Sequence, residues 1–422
     1  MTVRAPFHPA EHHPLIDLEQ HVSARNYTPL PIVASHAEGS WIWDTAGRRY
    51  LDMMSAYSAV SFGHGHPRLV GALIEQARRL AVTSRAIHSD QLAPFLSDLV
   101  KLTGLDLALP MNSGAEAVET AIKVARKWGN TVKGIRDGAA EIIVFDNNFH
   151  GRTTTIISFS SHDQYRSGFG PLTGGFRSVR FGDAQALRAA ITPHTCAVLI
   201  EPIQGEGGVV VPPAGYLTEV RRLCDEHNIM MIADEIQTGL GRTGDVLAVN
   251  HEGVRPDGLC LGKALGGGLL PVSAFVATQA LLGVINSGDH GSTFGGNALA
   301  AHVGREALAV LVEEQLPMRA AQGGKVLRDA LEAANHPLMV EVRGRGLMLG
   351  LQLTDTVVAH DVVERLGQAG IITKDTYLNT IRLSPPLNTD PADLEWGTLR
   401  ILEVLDEFAA SSSSRALATE AT

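Results

Sequence analysis

The chain has 422 residues, of which 45% are apolar and 19% charged, and its formal net charge is −10. This composition excludes a disordered, collagen-like or coiled-coil protein, and the negative charge argues against a nucleic-acid partner. The length predicts two or three domains around a sizeable core, as in an enzyme that acts on small molecules.

Two further features concern location and covalent chemistry. No apolar run approaches the roughly 18 residues that a membrane span requires, and residues 1–20 lack an apolar signal segment, so we expect a cytoplasmic protein without a membrane partner. Cys196, Cys224 and Cys260 match neither a metal-ligand spacing nor a disulfide framework. We interpret them as small buried apolar residues.

The first predicted element is a hairpin over residues 39–53, where apolar and polar residues alternate around a turn at 45–47. From about residue 110 onward, short apolar runs alternate with helical patterns, which predicts a parallel sheet covered by helices on both faces. The clearest strands are predicted over residues 141–145, 197–200, 229–233 and 258–261, with a crossover helix over 215–228.

The C-terminal part has a different pattern. A helix over 303–316 leads out of the parallel sheet, and the elements after it predict a smaller α+β unit. Strands are expected at 339–342, 347–353 and 381–383, and a closing helix at 393–408. The fold class is therefore α/β. We divide the chain into an N-terminal segment joining the small domain, a large domain, a small domain and a disordered tail, over residues 1–57, 58–300, 301–410 and 411–422.

Asp234 and Lys263 are the most informative pair of residues. Each follows a predicted strand, and ligands of open α/β sheets bind at the carboxyl ends of the strands, so both side chains should enter one crevice. A carboxylate and a lysine placed together suggest a pyridoxal phosphate (PLP) site, in which the lysine holds the aldehyde as a Schiff base and the carboxylate keeps the pyridine nitrogen protonated. A structural ion pair is the alternative.

Ser113, Gly114 and Ala115 open a helical pattern that runs to Trp128. Their backbone N–H groups and the helix dipole would converge on an anion, which suggests a phosphate site. An ordinary capping box between Ser113 and Glu116 is the alternative, and the two can coexist.

Other ligand sites are not supported by the sequence. The GLCLGK segment at 258–263 has three residues between its glycines rather than four, and no Ser or Thr follows the lysine, so a nucleotide phosphate loop is excluded. His64 and His66 have no matching carboxylate or cysteine set, and we predict no metal.

Several long motifs resemble class III aminotransferases, which are PLP enzymes of fold type I with a large and a small domain. The motifs stand in the family's order over most of residues 27–387, and they are SGAEAVETAIKVARKW at 113, NNFHGRT at 147, EPIQGEGGVVVP at 201, IADEIQTGLGRTG at 232, LGKALGGGLLPVSA at 261 and HGSTFGGN at 290. Within the class, NYTPLP at 26, SAYSAVSFGHGHP at 55 and GFGPLTGGF at 168 are similar to the ornithine-using members. The chain departs from them at His150, where those members carry Trp, and we expect no chemistry there.

The resemblance assigns cofactor roles residue by residue. Lys263 would form the Schiff base and move protons, and Asp234 would pair with the ring nitrogen. The remaining contacts would be Phe149 on the ring face, Gln237 at the phenolic oxygen, Ser113, Gly114 and Ala115 at the phosphate, and Thr293 at the phosphate of the neighbouring subunit's cofactor. The last role implies a homodimer.

The resemblance also assigns substrate roles. Arg152 would bind the α-carboxylate of ornithine far from the ring, and Tyr27 would hold the α-amino acid end. Tyr57 would favour ornithine over 4-aminobutyrate, although an aromatic side chain in an apolar turn is an equal alternative. Glu206 would mask Arg382 while ornithine is bound and release it for the α-carboxylate of 2-oxoglutarate; a permanent salt bridge is the alternative.

The resemblance therefore implies ping-pong transfer of the δ-amino group of ornithine to 2-oxoglutarate, which gives glutamate and glutamate 5-semialdehyde. The closest alternatives are transfer from N-acetylornithine or from 4-aminobutyrate, and Tyr27 and Tyr57 argue against both. A catalytically silent binding protein on the same fold is a further alternative, but a binding protein needs no Schiff-base lysine.

Overall fold

The structure is a computed structural model that describes the backbone of residues 13–420 and the side chains of residues 13–410. Its strands are β1 Ala34–Glu38, β2 Trp41–Asp44, β3 Arg49–Asp52, β4 Leu107–Met111, β5 Glu141–Phe145, β6 Phe176–Val179, β7 Thr195–Ile200, β8 Met230–Asp234, β9 Gly258–Leu261, β10 Ser273–Ala277, β11 Met339–Arg345, β12 Met348–Leu353, β13 Ile371–Ile372, β14 Lys374–Thr376 and β15 Thr380–Leu383.

The helices are α1 Pro14–Val22, α2 Ser55–Ser58, α3 Pro67–Arg79, α4 Leu92–Thr103, α5 Gly114–Thr131, α6 Thr154–Ile157, α7 Asp163–Arg166, α8 Ala184–Ala190, α9 Tyr216–Glu226, α10 Gln279–Leu282, α11 Ala298–Glu313, α12 Leu316–Ala334, α13 Ala359–Ala369 and α14 Pro391–Glu420. Short 3₁₀ helices cover Ala248–Glu252 and Lys263–Gly266. In the part of the chain that the structure describes, no helix is long and apolar enough to cross a membrane.

A seven-stranded sheet forms the centre of the large unit, in the order β4-β10-β9-β8-β7-β5-β6. The run from β9 to β6 is parallel, and β10 is antiparallel to both of its neighbours. Apolar clusters cover both faces: α5 packs on one face, and α4, α9 and α11 contribute to the core on the other. The four predicted parallel strands and their crossover helix are therefore confirmed, and their burial on both faces explains why they are almost wholly apolar.

A second core lies between the antiparallel sheet β11-β12-β15-β14 and helices α12, α13 and α14. The predicted hairpin is present as β2 and β3, and β13 extends its sheet by pairing in parallel with β3. Leu51 and Met53 pack in this second core. These contacts support the proposal that the N-terminal segment belongs with the small domain.

Two details of the proposed domain division differ from the structure. Helix α11 packs against α3 and α4 of the large unit, so we place the boundary after α11 rather than at residue 301. The tail was predicted to be disordered from residue 411, but α14 continues through Glu420; Ala, Leu, Arg and Glu in this stretch are good helix formers despite the four serines. Residues 421 and 422 lie outside the described residues.

Candidate active site

Two adjacent parallel strands place the predicted lysine and aspartate at one end of the large sheet. Asp234 is the last residue of β8, and Lys263 follows the end of β9 by two residues, in a left-handed conformation with φ 46°. Both side chains line a cavity of about 210 Å³. Its lining residues are Gly114, Ala115, Phe149, His150, Gly151, Glu201, Ile203, Glu206, Asp234, Ile236, Gln237, Thr238 and Lys263.

Burial and nearby charges act against each other at Lys263. Burial lowers the pKa of Lys263, whereas the negative charges of Glu206 and Asp234 raise it, and the net direction is downward. A lowered pKa increases the fraction of neutral amine, which is the form that acts as a nucleophile and as a base.

His150 holds the aspartate, although we expected no chemistry at this position. Its Nδ1 lies 2.6 Å from Oδ2 of Asp234, and both residues are almost fully buried. Burial alone would lower the pKa of His150, but the hydrogen bond and charge of Asp234 outweigh it and raise the pKa. This contact was not predicted, because the comparison with Trp considered the residue's identity and not its position beside Asp234.

Glu201 is a further cavity residue that the sequence analysis missed. Its Oε2 accepts a 3.0 Å hydrogen bond from the backbone N–H of Phe149. The pKa of Glu201 is raised to about 7, chiefly by burial; the charge of Asp234 also raises it, whereas the charge of His150 and the backbone hydrogen bonds lower it. Its place at the end of β7, immediately after Ile200, is the signal that could have identified it.

The N-terminus of α5 forms one wall of the cavity. Ser113 Oγ accepts from the N–H of Glu116 at 3.2 Å, and the Glu116 carboxylate accepts from the N–H of Ser113 at 2.6 Å, so the capping box is present. Gly114 and Ala115 line the cavity directly. Their N–H groups belong to the helix's first turn, which has no intrahelical acceptors, and they can bind an anion.

Glu206 and Arg382 form an ion pair at the edge of the cavity. Burial alone would raise the pKa of Glu206, but the positive charges of Arg382 and Lys263 outweigh it and lower the pKa. The Arg382 guanidinium lies 4.9 Å from the centre of the Tyr57 ring. These two residues and Gln237 also line a small adjoining cavity. The structure thus brings Tyr57, Glu206, Gln237 and Arg382 together.

Arg152 lies outside this cluster, on an exposed surface beside Phe149. Its guanidinium lies 4.4 Å from the centre of the Tyr165 ring and 5.8 Å from that of Phe149, and Nη2 donates to the Tyr165 hydroxyl at 3.3 Å. The cation is therefore oriented by aromatic neighbours and has no carboxylate partner among the described residues. It is available to bind a carboxylate.

Tyr27 and Thr293 are not brought to the cavity of this chain. Tyr27 is 71% exposed and lines a groove formed by the N-terminal segment. Thr293 is also exposed. The role predicted for Thr293 is toward a neighbouring subunit, so its distance from this cavity does not conflict with it.

The residues of the cavity fit PLP. His150 lines the cavity, and its buried Nε2 has no hydrogen-bond partner among the described residues. A Cβ added to Gly151 would lie 3.0 Å from the Cβ of Ala115, so the glycine permits a close approach beside the anion-binding turn. A lysine, a buried carboxylate and a helix N-terminus in one cavity match the aldehyde, ring nitrogen and phosphate of this cofactor.

Comparison with known proteins agrees with this geometry. Residues 22–405 match the family described as Aminotransferase class-III. The chain is 53% identical over 397 residues to an ornithine aminotransferase of Bordetella pertussis, which covers 94% of this chain and 96% of the relative. A Toxoplasma gondii ornithine aminotransferase structure, in which PLP partly occupies the active site, has a TM-score of 0.93 and 40% identity, with 94% and 95% of the chains covered. An acetylornithine aminotransferase structure from Elizabethkingia anophelis has a TM-score of 0.84 and 42% identity, with 93% and 98% covered.

Proposed function

The chain belongs to the class III aminotransferase family, and from that premise we propose that it is a PLP-dependent transaminase that transfers the δ-amino group of L-ornithine to 2-oxoglutarate. The products are glutamate and glutamate 5-semialdehyde, and the semialdehyde cyclises to pyrroline-5-carboxylate with loss of water. The observation that carries the proposal is the convergence of Lys263, Asp234 and the start of α5 on one cavity.

We propose the following cofactor contacts. Gly114 and Ala115, in the first turn of α5, bind the phosphate through backbone N–H groups, next to the N-cap residue Ser113, whose own N–H donates to Glu116. Asp234, held by His150, pairs with the ring nitrogen and keeps it protonated. Phe149 packs on the ring and Gln237 reaches the phenolic oxygen. Bound PLP supplies an electron sink for the charge that develops at the substrate carbon.

We assign Lys263 the role of proton carrier. Its Nζ would hold the cofactor, and as a free amine it would accept the proton from the substrate carbon next to the transferred nitrogen. The lowered pKa of Lys263 favours the neutral amine that this step requires. Asp234 acts by electrostatic stabilisation of the ring nitrogen.

Arg152 and Arg382 give one site two binding modes. Ornithine presents its δ-amine to the cofactor when its α-carboxylate binds Arg152, with Tyr27 at the α-amino acid end, while Glu206 keeps Arg382 paired. 2-Oxoglutarate must instead present its α-keto group. Release of Glu206 then allows Arg382 to bind the α-carboxylate, and Arg152 binds the distal carboxylate.

The experiment that tests this function measures both products with 2-oxoglutarate as acceptor. We expect pyrroline-5-carboxylate and glutamate in equal amounts from ornithine, and much slower glutamate formation from N-acetylornithine or 4-aminobutyrate. The 42% identity to an acetylornithine aminotransferase makes N-acetylornithine the informative alternative substrate. A higher kcat/KM for that donor would move the assignment to it and keep the transaminase reaction.

Tyr57→Ile tests the proposed selectivity. Tyr57 lies under Arg382 in the wall of the small adjoining cavity, and its loss would change the shape of that wall and unstack the cation. We expect kcat/KM for ornithine to fall by about tenfold and that for 4-aminobutyrate to rise. An unchanged ratio of the two values would remove Tyr57 as a specificity residue.

We also propose a homodimer with active sites at the interface. The support is the exposure of Tyr27, of Thr293 and of the neighbouring Phe294, which is 56% exposed. These residues lie in NYTPLP at 26 and HGSTFGGN at 290, two of the motifs that carry the family resemblance. Light scattering of the purified protein should give a mass of twice the 45.0 kDa chain. A monomer with full activity would contradict the role of Thr293. Location in the cytoplasm remains a prediction from the sequence.

A further inference from the structure

Four consecutive residues of α2 have left-handed backbone conformations. Ser55, Ala56, Tyr57 and Ser58 have φ values of 43°, 46°, 60° and 76°, and none of them is a glycine. L-amino acids rarely adopt this conformation singly, and a run of four persists only when the surrounding structure holds it in place. The residue presented by this strained turn is Tyr57.

Arg242 is the side chain that reaches this turn from the large unit. It is fully buried, and its Nη2 donates to Ser61 Oγ at 2.9 Å and to Ser55 Oγ at 3.3 Å. Ser55 is the first residue of the turn, and Ser61 lies three residues after its end. Among the described side chains no carboxylate pairs with Arg242, so all of its hydrogen-bond acceptors are hydroxyl and carbonyl oxygens.

The other terminal nitrogen of Arg242 contacts the small unit. Its Nη1 donates to the carbonyl oxygen of Leu347, at 2.8 Å, and to that of Pro385. Pro385 follows the strand that carries Arg382 by two residues, and Ser55 Oγ donates to the carbonyl of the intervening Ser384. The Arg242 guanidinium therefore joins the turn that carries Tyr57 to the segment that follows Arg382 in the chain.

We propose that Arg242 is a positioning residue for substrate selection, which fixes Tyr57 against Arg382 by bridging the strained turn and the end of β15. The proposal rests on the proposed function, because Tyr57 and Arg382 are its substrate-selecting residues. Arg242 lines neither the main cavity nor the small adjoining one, and it acts only through these two side chains.

The chemistry of the contacts explains why an arginine is needed. The acceptors are divided between the two terminal nitrogens of Arg242. A guanidinium presents these donors in a fixed planar fork that a lysine ammonium cannot reproduce. Burial lowers the pKa of Arg242 to about 9, with Asp52 opposing the shift, so the group is charged at neutral pH. Asp52 also accepts from the N–H groups of Met54 and Ser55, at 2.9 and 2.8 Å, and fixes the start of the turn.

The test uses the PLP-loaded enzyme and the ratio of kcat/KM for ornithine to that for 4-aminobutyrate. We expect Arg242→Lys to lower this ratio by about tenfold, less than the roughly hundredfold cost of a 1 Å misplacement at a reacting centre. Ser61→Ala removes the hydrogen bond from Arg242 and the one that the Ser61 hydroxyl donates to the carbonyl oxygen of Ser58, and it should lower the ratio by about threefold while the protein remains folded. Thr103→Val is the matched control, because it removes one hydroxyl hydrogen bond within α4 and should leave the ratio unchanged.

A double-variant cycle separates positioning from general stability. In a Tyr57→Ile background, Ser61→Ala should no longer change the ratio, because the residue through which Arg242 acts is gone. The proposal is overturned if Ser61→Ala and Arg242→Lys lower the melting temperature but leave the ratio as in the wild type. It is also overturned if their effects persist in full without Tyr57. If the wild type prefers N-acetylornithine, the proposed function fails, and the change in ratio still decides the role of Arg242.

Discussion

Lys263→Ala will lower the rate of ornithine transamination by about 10⁴-fold, the upper end of what a positioned acid–base group contributes. The physical reason is that, among the described residues, Lys263 is the only amine that lines the cavity, so none of them replaces Nζ as proton carrier or as the covalent attachment for PLP. The assay is steady-state pyrroline-5-carboxylate formation at saturating PLP. The visible absorbance of the lysine-linked cofactor should disappear in the same protein.

Lys133→Ala is the matched control for this variant. Lys133 is also partly buried, and its Nζ donates to the carbonyl oxygens of Thr195 and His227, away from the cavity. We expect this control to lose some thermal stability and to keep its activity. If Lys263→Ala turned over ornithine at the wild-type rate, the assignment of the lysine would be wrong.

Asp234→Asn should lower kcat by about 10²- to 10³-fold, a loss typical of removing one preorganised electrostatic contact. The amide keeps the shape of the side chain but removes the charge that holds the ring nitrogen protonated. It also removes the anionic partner of His150. Because burial lowers the pKa of His150 and Asp234 raises it, that pKa should fall in the variant. The measurement is kcat with saturating ornithine and 2-oxoglutarate.

Asp257→Asn provides the comparison for a lost structural carboxylate. Asp257 precedes β9 at the opposite end of the sheet, where it accepts from the N–H of Met231 at 2.7 Å and pairs with Arg221. Its loss should reduce stability and leave kcat within about twofold of the wild type. A kcat for Asp234→Asn as high as that of this control would show that Asp234 has only a structural role.

The strands that position the site could be predicted because they are buried on both faces. Such strands are continuous apolar runs, and β5 and β9 were located to the residue while β7 and β8 differed by one or two positions. The antiparallel strand β10 was not predicted. Strand direction depends on partners far apart in sequence, and no local pattern distinguishes an antiparallel member of a buried sheet from its parallel neighbours.

The chemistry of the cavity was predictable where residues follow strands directly. Asp234 and Lys263 were found in this way, since parallel strands share one carboxyl end. The contact of His150 with Asp234 and the hydrogen bonds of Arg242 were not predicted. Each joins groups that lie more than 80 residues apart in the chain. Tyr27 and Thr293 are exposed in the single chain, and the proposed dimer interface would supply their contacts.

The absorption spectrum of the purified enzyme tests the central claim most directly. The PLP-loaded protein is mixed in parallel with ornithine, N-acetylornithine and 4-aminobutyrate, without keto acid. We expect rapid loss of the visible cofactor band with ornithine and little change with the other two amines. Rapid loss with another amine alone would contradict the proposed substrate, and the absence of any visible band after addition of PLP would contradict the enzyme assignment itself.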